Sequence, residues 1–357
     1  MTSTRTSRPS PRALTTAALQ LEYLPSDQLA MRPASWWQSV IGVVGFGKLP
    51  AIGAPVPVTA SMTPALGTAD NLCEVWRVAG PGMQLSNGAA AHNRVQYRHC
   101  EELLFGCITL EEGDGDSAAL MRATETAYRE IFAALKQTEH RYLVRIWNYL
   151  PEINREADGQ ERYRHFNSAR QVAFRNSGRA DTGNVPAACA LGSPAGSPIS
   201  IYFLAARRPP KMIENPRQTS AYHYPAKFGR HSPIFSRACV LRDSAGTNLF
   251  ISGTASIVGH ETIHHGDVAA QTRESVANIK ALLAEANRAV GSDSYTLSAL
   301  KFKVYVRQPS DLKVIETALA ASLEPSSLVL YLQADVCRAD LLVEIEATGE
   351  SRAGILR

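Results

Sequence analysis

Two glutamates close to the end of the sequence, Glu344 and Glu346, are the side chains best suited to acid–base chemistry. They belong to the stretch 341–347, whose leucine, valine and isoleucine content is typical of a β-strand. Because side chains alternate along a strand, Leu342 and the two glutamates would share one face. A carboxyl group among apolar neighbours loses water, which raises its pKa and can make it a proton donor near neutral pH. A solvated sheet surface is the alternative interpretation of the same pattern.

A second motif has the letters of a zinc site. Residues 260–264, HETIH, match the HExxH pattern, in which two histidines on one face of a helix bind zinc. Here Gly259 precedes the motif and Gly266 closely follows it. Thr262 and Ile263 are β-branched, and a predicted strand comes directly before them. These features favour a loop over a helix, so we expect no metal.

Both halves of the chain contain strand and helix patterns. Apolar residues recur at helical spacing in the segments 117–136, 160–175, 271–290 and 311–323, the last with Ser310 as its expected N-cap. Strand patterns occupy 74–78, 96–99, 103–110, 142–149, 200–206, 238–242, 248–252, 298–306, 328–333 and 341–347. The glycine-rich segment 42–47 lacks the strand–GxGxxG–helix order of a phosphate loop, so it is expected to be a strand or turn. Together these elements predict an α+β fold with mixed sheets and helices packed on one face.

Length and composition favour an ordinary globular protein of two domains. The chain has 357 residues, of which 45% are hydrophobic and 20% are charged. We expect residues 1–20 to form a disordered arm, 21–190 an N-terminal α+β domain and 195–351 a C-terminal catalytic domain. The stretch 183–198, rich in glycine, proline and alanine, is the expected boundary or long loop between the two domains.

Charge and cysteine usage exclude several classes of partner. The net charge of +4 is small and the basic residues are dispersed, so no nucleic-acid binding is expected. No apolar run reaches the roughly 18 residues that span a bilayer, so no membrane is expected. The six cysteines form no CxxC pair, and the first residues lack the apolar core of a secretory signal. We therefore expect a cytoplasmic protein with reduced thiols.

Seven segments of the sequence match the pattern of a known family in their order and spacing. The ending, CRADLLVEIEA (337–347), resembles the terminal strand of the YjgF-type reactive-intermediate deaminase fold, where a similar strand brings a glutamate into a small-ligand cleft. Six further segments resemble chorismatases in their order and spacing: YLVRIWNYLPEIN (142–154), ERYRHFNSAR (161–170), YHYP (222–225), SPIFSR (232–237), FISGTASIVGH (250–260) and HGDVAAQTRE (265–274). The matching region extends over more than half of the chain. It implies a YjgF/chorismate-mutase-like C-terminal domain and a related or looser N-terminal domain.

The resemblance implies removal of the enolpyruvyl side chain of chorismate as pyruvate, without a cofactor. Cleavage of an enol ether begins with protonation of its terminal methylene carbon, which needs a neutral carboxylic acid close by. The catalytic glutamate of the family corresponds to Glu344. Cys337 matches the cysteine of members that make 3-hydroxybenzoate, where the thiol steers the intermediate toward the aromatic product; 4-hydroxybenzoate is not excluded. Taken by itself, Cys337 is typical of a small buried apolar side chain.

Chorismate carries two carboxylates, so the resemblance also implies fixed hydrogen-bond donors. Guanidinium groups suit this task because they bind a carboxylate through two parallel hydrogen bonds. The expected substrate-binding residues are Arg170, Arg237, Arg145, Tyr224, Gly253 and Thr254. Tyr224 would donate from its phenol, and Gly253 and Thr254 would offer backbone N–H groups and a hydroxyl. For any one arginine the alternative is a structural ion pair, and for Gly253 and Thr254 it is an ordinary hairpin end.

Two other functions remain open on the sequence alone. A YjgF-type deaminase would hydrolyse small enamines or imines, with an arginine bound to the substrate carboxylate. A non-catalytic module would bind an aromatic acid through the same arginines without turnover. In each case the partner is a small molecule, chorismate being the first expectation. Because the chain is much longer than the trimeric deaminases, we expect a monomer.

Overall fold

The computed structural model describes residues 18–47, 52–67, 72–80, 84–90, 94–113, 116–243 and 245–352. The helices are α1 (Ser26–Ala30), α2 (Ala34–Trp37), α3 (Ser117–Gln137), α4 (Arg162–Asn176), α5 (Val268–Val290) and α6 (Leu312–Ala320). The strands are β1 (Ala18–Pro25), β2 (Val40–Phe46), β3 (Val58–Ser61), β4 (Leu72–Ala79), β5 (Ser86–Ala90), β6 (Val95–His99), β7 (Leu103–Leu110), β8 (Tyr142–Pro151), β9 (Glu156–Ala157), β10 (Gln160–Glu161), β11 (Ala187–Ser193), β12 (Ile199–Ala206), β13 (Lys211–Ile213), β14 (Ala238–Arg242), β15 (Gly246–Thr254), β16 (Ile257–Val258), β17 (Glu261–Thr262), β18 (Leu300–Val306), β19 (Leu328–Gln333), β20 (Asp335–Val336) and β21 (Val343–Arg352).

Three sheets form the framework of the molecule. The first sheet has the strand order β1-β4-β2-β3, the second β20-β11-β8-β12-β7-β6-β5 and the third β13-β14-β15-β21-β18-β19. Each sheet mixes directions, since β2 runs parallel to β3, β8 to β11 and β18 to β19 among otherwise antiparallel neighbours. The predicted α+β class with mixed sheets is confirmed.

Side-chain alternation along β8 shows how the second sheet is covered on both faces. Ile146 and Leu150 belong to an outer core with Leu120 of α3 and Phe166 of α4. Trp147, on the opposite face of the strand, belongs to an inner core that side chains of the other two sheets also enter. The helices therefore cover one face of this sheet, as the sequence predicts, and the other face is turned inward.

The third sheet repeats this arrangement around β21. Val343 and Ile345 pack with Ile279 of α5 in a second outer core. Because side chains alternate along the strand, Glu344 and Glu346 point away from the helices and toward the second sheet. The two sheets thus enclose a layer that is apolar except for a few buried charged side chains.

The first sheet closes the inner core from a third side. The indole ring of Trp76 on β4 lies 5.7 Å from that of Trp147 on β8, measured between ring centroids, and 6.1 Å from the Phe250 ring on β15. Leu19 of β1 also belongs to this core. Side chains from all three sheets therefore surround one interior.

Two expectations about chain organisation are wrong. The stretch 183–198 contains β11, which lies between β20 and β8 and has all seven of its residues buried. Its composition, AACALGS, is poor in the β-branched and aromatic residues that usually identify a strand. The domain boundary expected in this stretch falls inside the second sheet, because β12 follows it and pairs with both β7 and β8.

Two smaller expectations, on the N-terminal arm and on the cap of α6, also need comment. Residues 1–17 of the expected arm lie outside the described residues, and the chain from Ala18 onward is already β1. α6 begins at Leu312 after one turn of 3₁₀ helix at Pro309–Asp311, and no side chain caps it, so the Ser310 cap is wrong. Among the helices of the described residues, none is long and apolar enough to cross a membrane.

Candidate active site

A cavity of about 310 Å³ lies where the second and third sheets meet. The sheets are joined there by Ser252 of β15, whose hydroxyl accepts a 2.9 Å hydrogen bond from the Ala188 N–H of β11 and donates to the Ser236 carbonyl at 2.6 Å. The register of β15 against β21 shifts between Ile251 and Thr254. Such a bulge re-aims side chains locally, and here it leaves Gly253 facing the cavity.

Glu344 forms part of the cavity wall from the centre of the third sheet. Its side chain is only 3% exposed, and it lies directly against Gly253. A Cβ atom on Gly253 would overlap the Glu344 carboxyl, at 2.5 Å from its Cδ, and would lie 3.2 Å from the Cβ of Cys189. The absence of a side chain at position 253 therefore makes the room in which the carboxyl sits.

The surroundings of Glu344 favour its neutral form. Burial raises the pKa of this carboxyl to about 8, and the negative charge of Glu346 acts in the same direction. Arg145, Arg237 and Arg307 oppose the rise without cancelling it. Its Oε1 atom has no hydrogen-bond partner among the described residues. The structure thus places at the wall of a cavity a buried carboxyl whose raised pKa favours the protonated form at neutral pH, which is the state that a general acid needs.

Glu346, two residues further along β21, has the opposite character. Its carboxylate accepts hydrogen bonds from Arg145 at 2.5 Å, from the Trp147 indole at 2.7 Å and from Lys303 at 2.9 Å. Although burial opposes ionisation, Lys303 and Arg145 hold the pKa of Glu346 below its ordinary value. Two carboxyls on one strand face therefore differ in charge because of their partners.

Cys337 belongs to the loop between β20 and β21 and also lines the cavity. Arg307, at the end of β18, fixes this loop by donating to the carbonyls of Val336, Arg338 and Leu341 at 2.7–3.0 Å. It also forms a 2.6 Å ion pair with Asp335. Burial raises the pKa of the Cys337 thiol to about 12, with the Glu344 charge as a smaller cause, so the thiol is protonated at neutral pH.

Three cavity arginines are held by aromatic rings and backbone carbonyls. Arg170 is surrounded by the rings of Tyr128, Phe166 and Phe174 and donates to the Ile234 carbonyl. Arg237 donates to the Tyr224 hydroxyl at 2.7 Å and to the Thr219 carbonyl at 2.8 Å. The Arg338 guanidinium lies 4.0 Å from the Phe228 ring centroid and donates to the His260 carbonyl at 2.9 Å. In each of the three, one buried N–H nitrogen has no acceptor among the described residues: Nε of Arg170, Nε of Arg237 and Nη2 of Arg338.

The cavity brings together most of the residues singled out from the sequence. Those on its wall are Glu344, Cys337, Arg170, Arg237, Tyr224 and Gly253. Arg145 is not on the wall, because its guanidinium is bound by Glu346 behind Glu344. Thr254 is not on the wall either, since its hydroxyl donates to the Ser252 carbonyl at 2.8 Å.

Several wall residues were not predicted from the sequence, among them Cys189, Arg164 and Arg338. Cys189 lies on the unpredicted strand β11, so its position could not be inferred. Arg338 directly follows Cys337, and that neighbour was the one available signal for it. Arg164 precedes Arg170 on α4, at a spacing that does not by itself identify a site.

The HExxH segment is not helical. Glu261 and Thr262 form β17, which pairs with β16, and His264 has a left-handed backbone with φ of 60°. The two histidines therefore do not lie on one face of a helix, as the zinc pattern requires. Across the part of the chain that the structure describes, no group of three His, Cys, Asp or Glu side chains is arranged to hold a metal ion.

Comparisons with known proteins agree with this fold. A family model described as "Chorismatase FkbO/Hyg5-like, N-terminal" matches residues 74–205. A 3-hydroxybenzoate synthase of Streptomyces hygroscopicus is 35% identical over 324 residues, which cover 87% of this chain and 91% of that protein. A chorismatase of Streptomyces rapamycinicus is 36% identical over 284 residues, 78% of this chain and 82% of that protein.

A solved structure extends the likeness to the whole fold. A crystal structure of chorismatase superposes with a TM-score of 0.82 at 30% identity, covering 95% of this chain and 100% of that one. The chain belongs to the chorismatase family. The resemblance to that family predicted from the sequence is confirmed.

Proposed function

We propose that this protein is a chorismatase, which releases the enolpyruvyl group of chorismate as pyruvate and leaves 3-hydroxybenzoate, with or without 4-hydroxybenzoate. One observation carries the proposal: the neutral, buried carboxyl of Glu344 faces a cavity that also contains three fixed guanidinium groups. The relatives are a 3-hydroxybenzoate synthase and a chorismatase, which supports the same activity. The cavity volume of about 310 Å³ suits a small-molecule ligand.

The first chemical step assigns Glu344 as the general acid. Its proton passes to the terminal methylene carbon of the enol ether, and a cation forms on the adjacent carbon, stabilised by the ether oxygen. The bond between that oxygen and the ring then breaks, and its electrons form the carbonyl of pyruvate. The ring hydroxyl attacks the ring carbon that is released and returns a proton to the Glu344 carboxylate. The resulting epoxide opens, the ring loses a proton, and 3-hydroxybenzoate forms without net consumption of water.

The arginines are assigned to the two carboxylates of the substrate. Arg170, Arg237 and Arg338 each have a buried N–H that finds no acceptor in the described protein, and a carboxylate oxygen would supply one. Rings and backbone carbonyls already fix each guanidinium, so little side-chain entropy would be lost on binding. Tyr224 is held against Arg237 and is assigned to orient it and to donate to the ring substituents.

Cys337 is assigned to product choice rather than to proton transfer to the enol ether. Its thiol lies on the same wall as Glu344 and stays protonated, because burial raises its pKa to about 12. A neutral thiol beside the cationic intermediate can direct which ring carbon the oxygen attacks and which proton leaves. This assignment supports 3-hydroxybenzoate as the main product.

The test of the function is pyruvate release from chorismate, followed through a coupled NADH-dependent dehydrogenase. Wild-type protein should release pyruvate, and Glu344→Gln should abolish release while calorimetry still detects chorismate binding. Glu324→Gln, at an exposed site that is not on the cavity wall, is the matched control. Unchanged turnover in Glu344→Gln would exclude this glutamate as the acid. Binding without turnover in the wild type would favour a non-catalytic module, and ammonia release from enamines would favour a deaminase.

The same proposal includes a monomer that acts in the cytoplasm on a small-molecule substrate. The three sheets turn their inner faces toward one another within a single chain, which supports a monomer. The six cysteines are all free, which suits a reducing compartment. Light scattering during size-exclusion chromatography checks the first point: a mass near 38.7 kDa is expected, and a stable multiple of it would contradict the monomer.

A further inference from the structure

Behind the cavity wall, four buried acidic and basic side chains alternate in a row: Arg145, Glu346, Lys303 and Glu74. Glu346 binds Arg145 at 2.5 Å and Lys303 at 2.9 Å. Lys303 also pairs with Glu74 of the first sheet. All four are at most 5% exposed. Carboxyl groups and cationic groups therefore alternate along the row.

Arg145 interacts with two carboxyl groups, those of Glu344 and Glu346. Glu344 and Glu346 are two residues apart on one strand face, which separates their Cα atoms by roughly 7 Å. Arg145 donates to Glu346 from Nη2, whereas its Nη1 and the Glu344 Oε1 each have no partner among the described residues. The guanidinium is thus bound to Glu346, while its positive charge also acts on Glu344, whose Oε1 has no partner among the described residues.

We infer that Glu346 is a positioning residue that binds Arg145 and Lys303, keeps both cations away from Glu344 and so keeps the catalytic carboxyl protonated. The inference rests on the proposed role of Glu344. Trp147 strengthens the arrangement, because its indole N–H donates to Glu346 at 2.7 Å and its ring lies under the Arg145 guanidinium, 4.8 Å from Cζ. Lys303 is likewise shared with Glu74, which limits its reach toward Glu344.

The other groups around Glu344 do not replace this function. Arg237 is bound to Tyr224 and Thr219, and Arg307 is bound to Asp335 and loop carbonyls. The titratable and charged groups that face Glu344 from the elements packed against it are Glu346 on its own strand, Arg145 on β8, Cys189 on β11, Arg237 before β14, Tyr305 and Arg307 on and after β18, and Cys337 in the loop before β21. Among these cations, Arg145 is the one bound to a carboxylate adjacent to Glu344 on the same face.

The test is a Glu346→Gln variant, which keeps the shape and the hydrogen-bond acceptor but removes the charge. Arg145 is then free to pair with Glu344, so that carboxyl should ionise at least one pH unit lower than in the wild type. Infrared difference spectra through a pH titration measure this directly, through the protonated-carboxyl band that Glu344→Gln removes. The alkaline limb of kcat/KM should move down by the same amount, with about a tenfold loss per unit at high pH. Glu350→Gln, on the same strand with an ion pair to Lys301, is the control and should leave the titration unchanged.

A second variant separates positioning from a merely structural role. In Glu346→Gln/Arg145→Met the cation is absent as well, so the Glu344 titration should return to within a few tenths of a pH unit of the wild type. A titration that does not move in Glu346→Gln, or a shift that Arg145→Met does not reverse, would overturn the inference. If Glu346→Gln does not fold, Glu346→Asp decides: the negative charge stays but the shorter side chain holds the Arg145 guanidinium less closely, so the Glu344 titration should still move to lower pH, and an unchanged titration refutes the inference. Because the infrared measurement needs no turnover, a wild type that releases no pyruvate would refute the proposed function alone.

Discussion

Gly253→Ala is the substitution for which the structure gives the most direct prediction of lost activity. The new Cβ would lie 2.5 Å from Cδ of Glu344, whereas ordinary van der Waals contact begins near 3.4 Å. The carboxyl must therefore retreat by about 1 Å, and a displacement of about 1 Å of a reacting group costs on the order of 100-fold in rate. Because the arginines are not touched, we expect kcat to fall about 100-fold while KM changes less than threefold or so.

The assay for Gly253→Ala is steady-state pyruvate release with chorismate varied around KM. Gly53→Ala is the matched control, since a Cβ there meets nothing within 4 Å, and it should keep wild-type kinetics. Thermal unfolding should show a loss of only about 1–3 kcal/mol for Gly253→Ala, the usual cost of overpacking a core. A Gly253→Ala protein with wild-type kcat would refute the view that this glycine makes room for the catalytic carboxyl.

Two further predictions concern protonation and product choice. Glu344 must be protonated to act, and burial raises its pKa to about 8. We therefore expect kcat/KM to be level around neutrality and to fall as the pH rises past that value. Rates measured from about pH 6 to 10 test this, and a fall in kcat/KM near the ordinary pKa of a glutamate would contradict it. Cys337→Ala should change the ratio of 3- to 4-hydroxybenzoate, measured by chromatography, more than it changes total pyruvate, and a fixed ratio would count against a steering role.

The catalytic strand could be predicted because its information is local. In 341–347, alternation alone places Glu344 and Glu346 on one face, and the apolar neighbours indicate burial. The absence of a helix at 260–264 could also be predicted, since the flanking glycines and the β-branched residues oppose a helix, although the short strand β17 was not expected. The resemblance to a known family added the assignment of Cys337, Arg170 and Arg237 to one site.

The partners of those residues could not be predicted, because they come from distant parts of the chain. Nothing near Lys303 in the sequence indicates that it pairs with Glu74 of the first sheet. Arg145 was assigned to substrate because guanidinium chemistry is the same in a binding site and in an ion pair. β11 was missed since its small residues are selected by close packing against β15 and the cavity rather than by strand propensity.

The position of β21 has a consequence for how the protein is made. Among the described residues it is the last strand in chain order, yet it lies between β15 and β18 in the middle of the third sheet. β14 pairs with β15, and β18 with β19, but in the folded sheet only β21 connects these two pairs through hydrogen bonds. A premature stop codon before residue 343 would release a polypeptide with two open sheet edges, which attract other chains, and with no acid for catalysis. The central strand of the third sheet and the proposed general acid are thus supplied by the same ten residues.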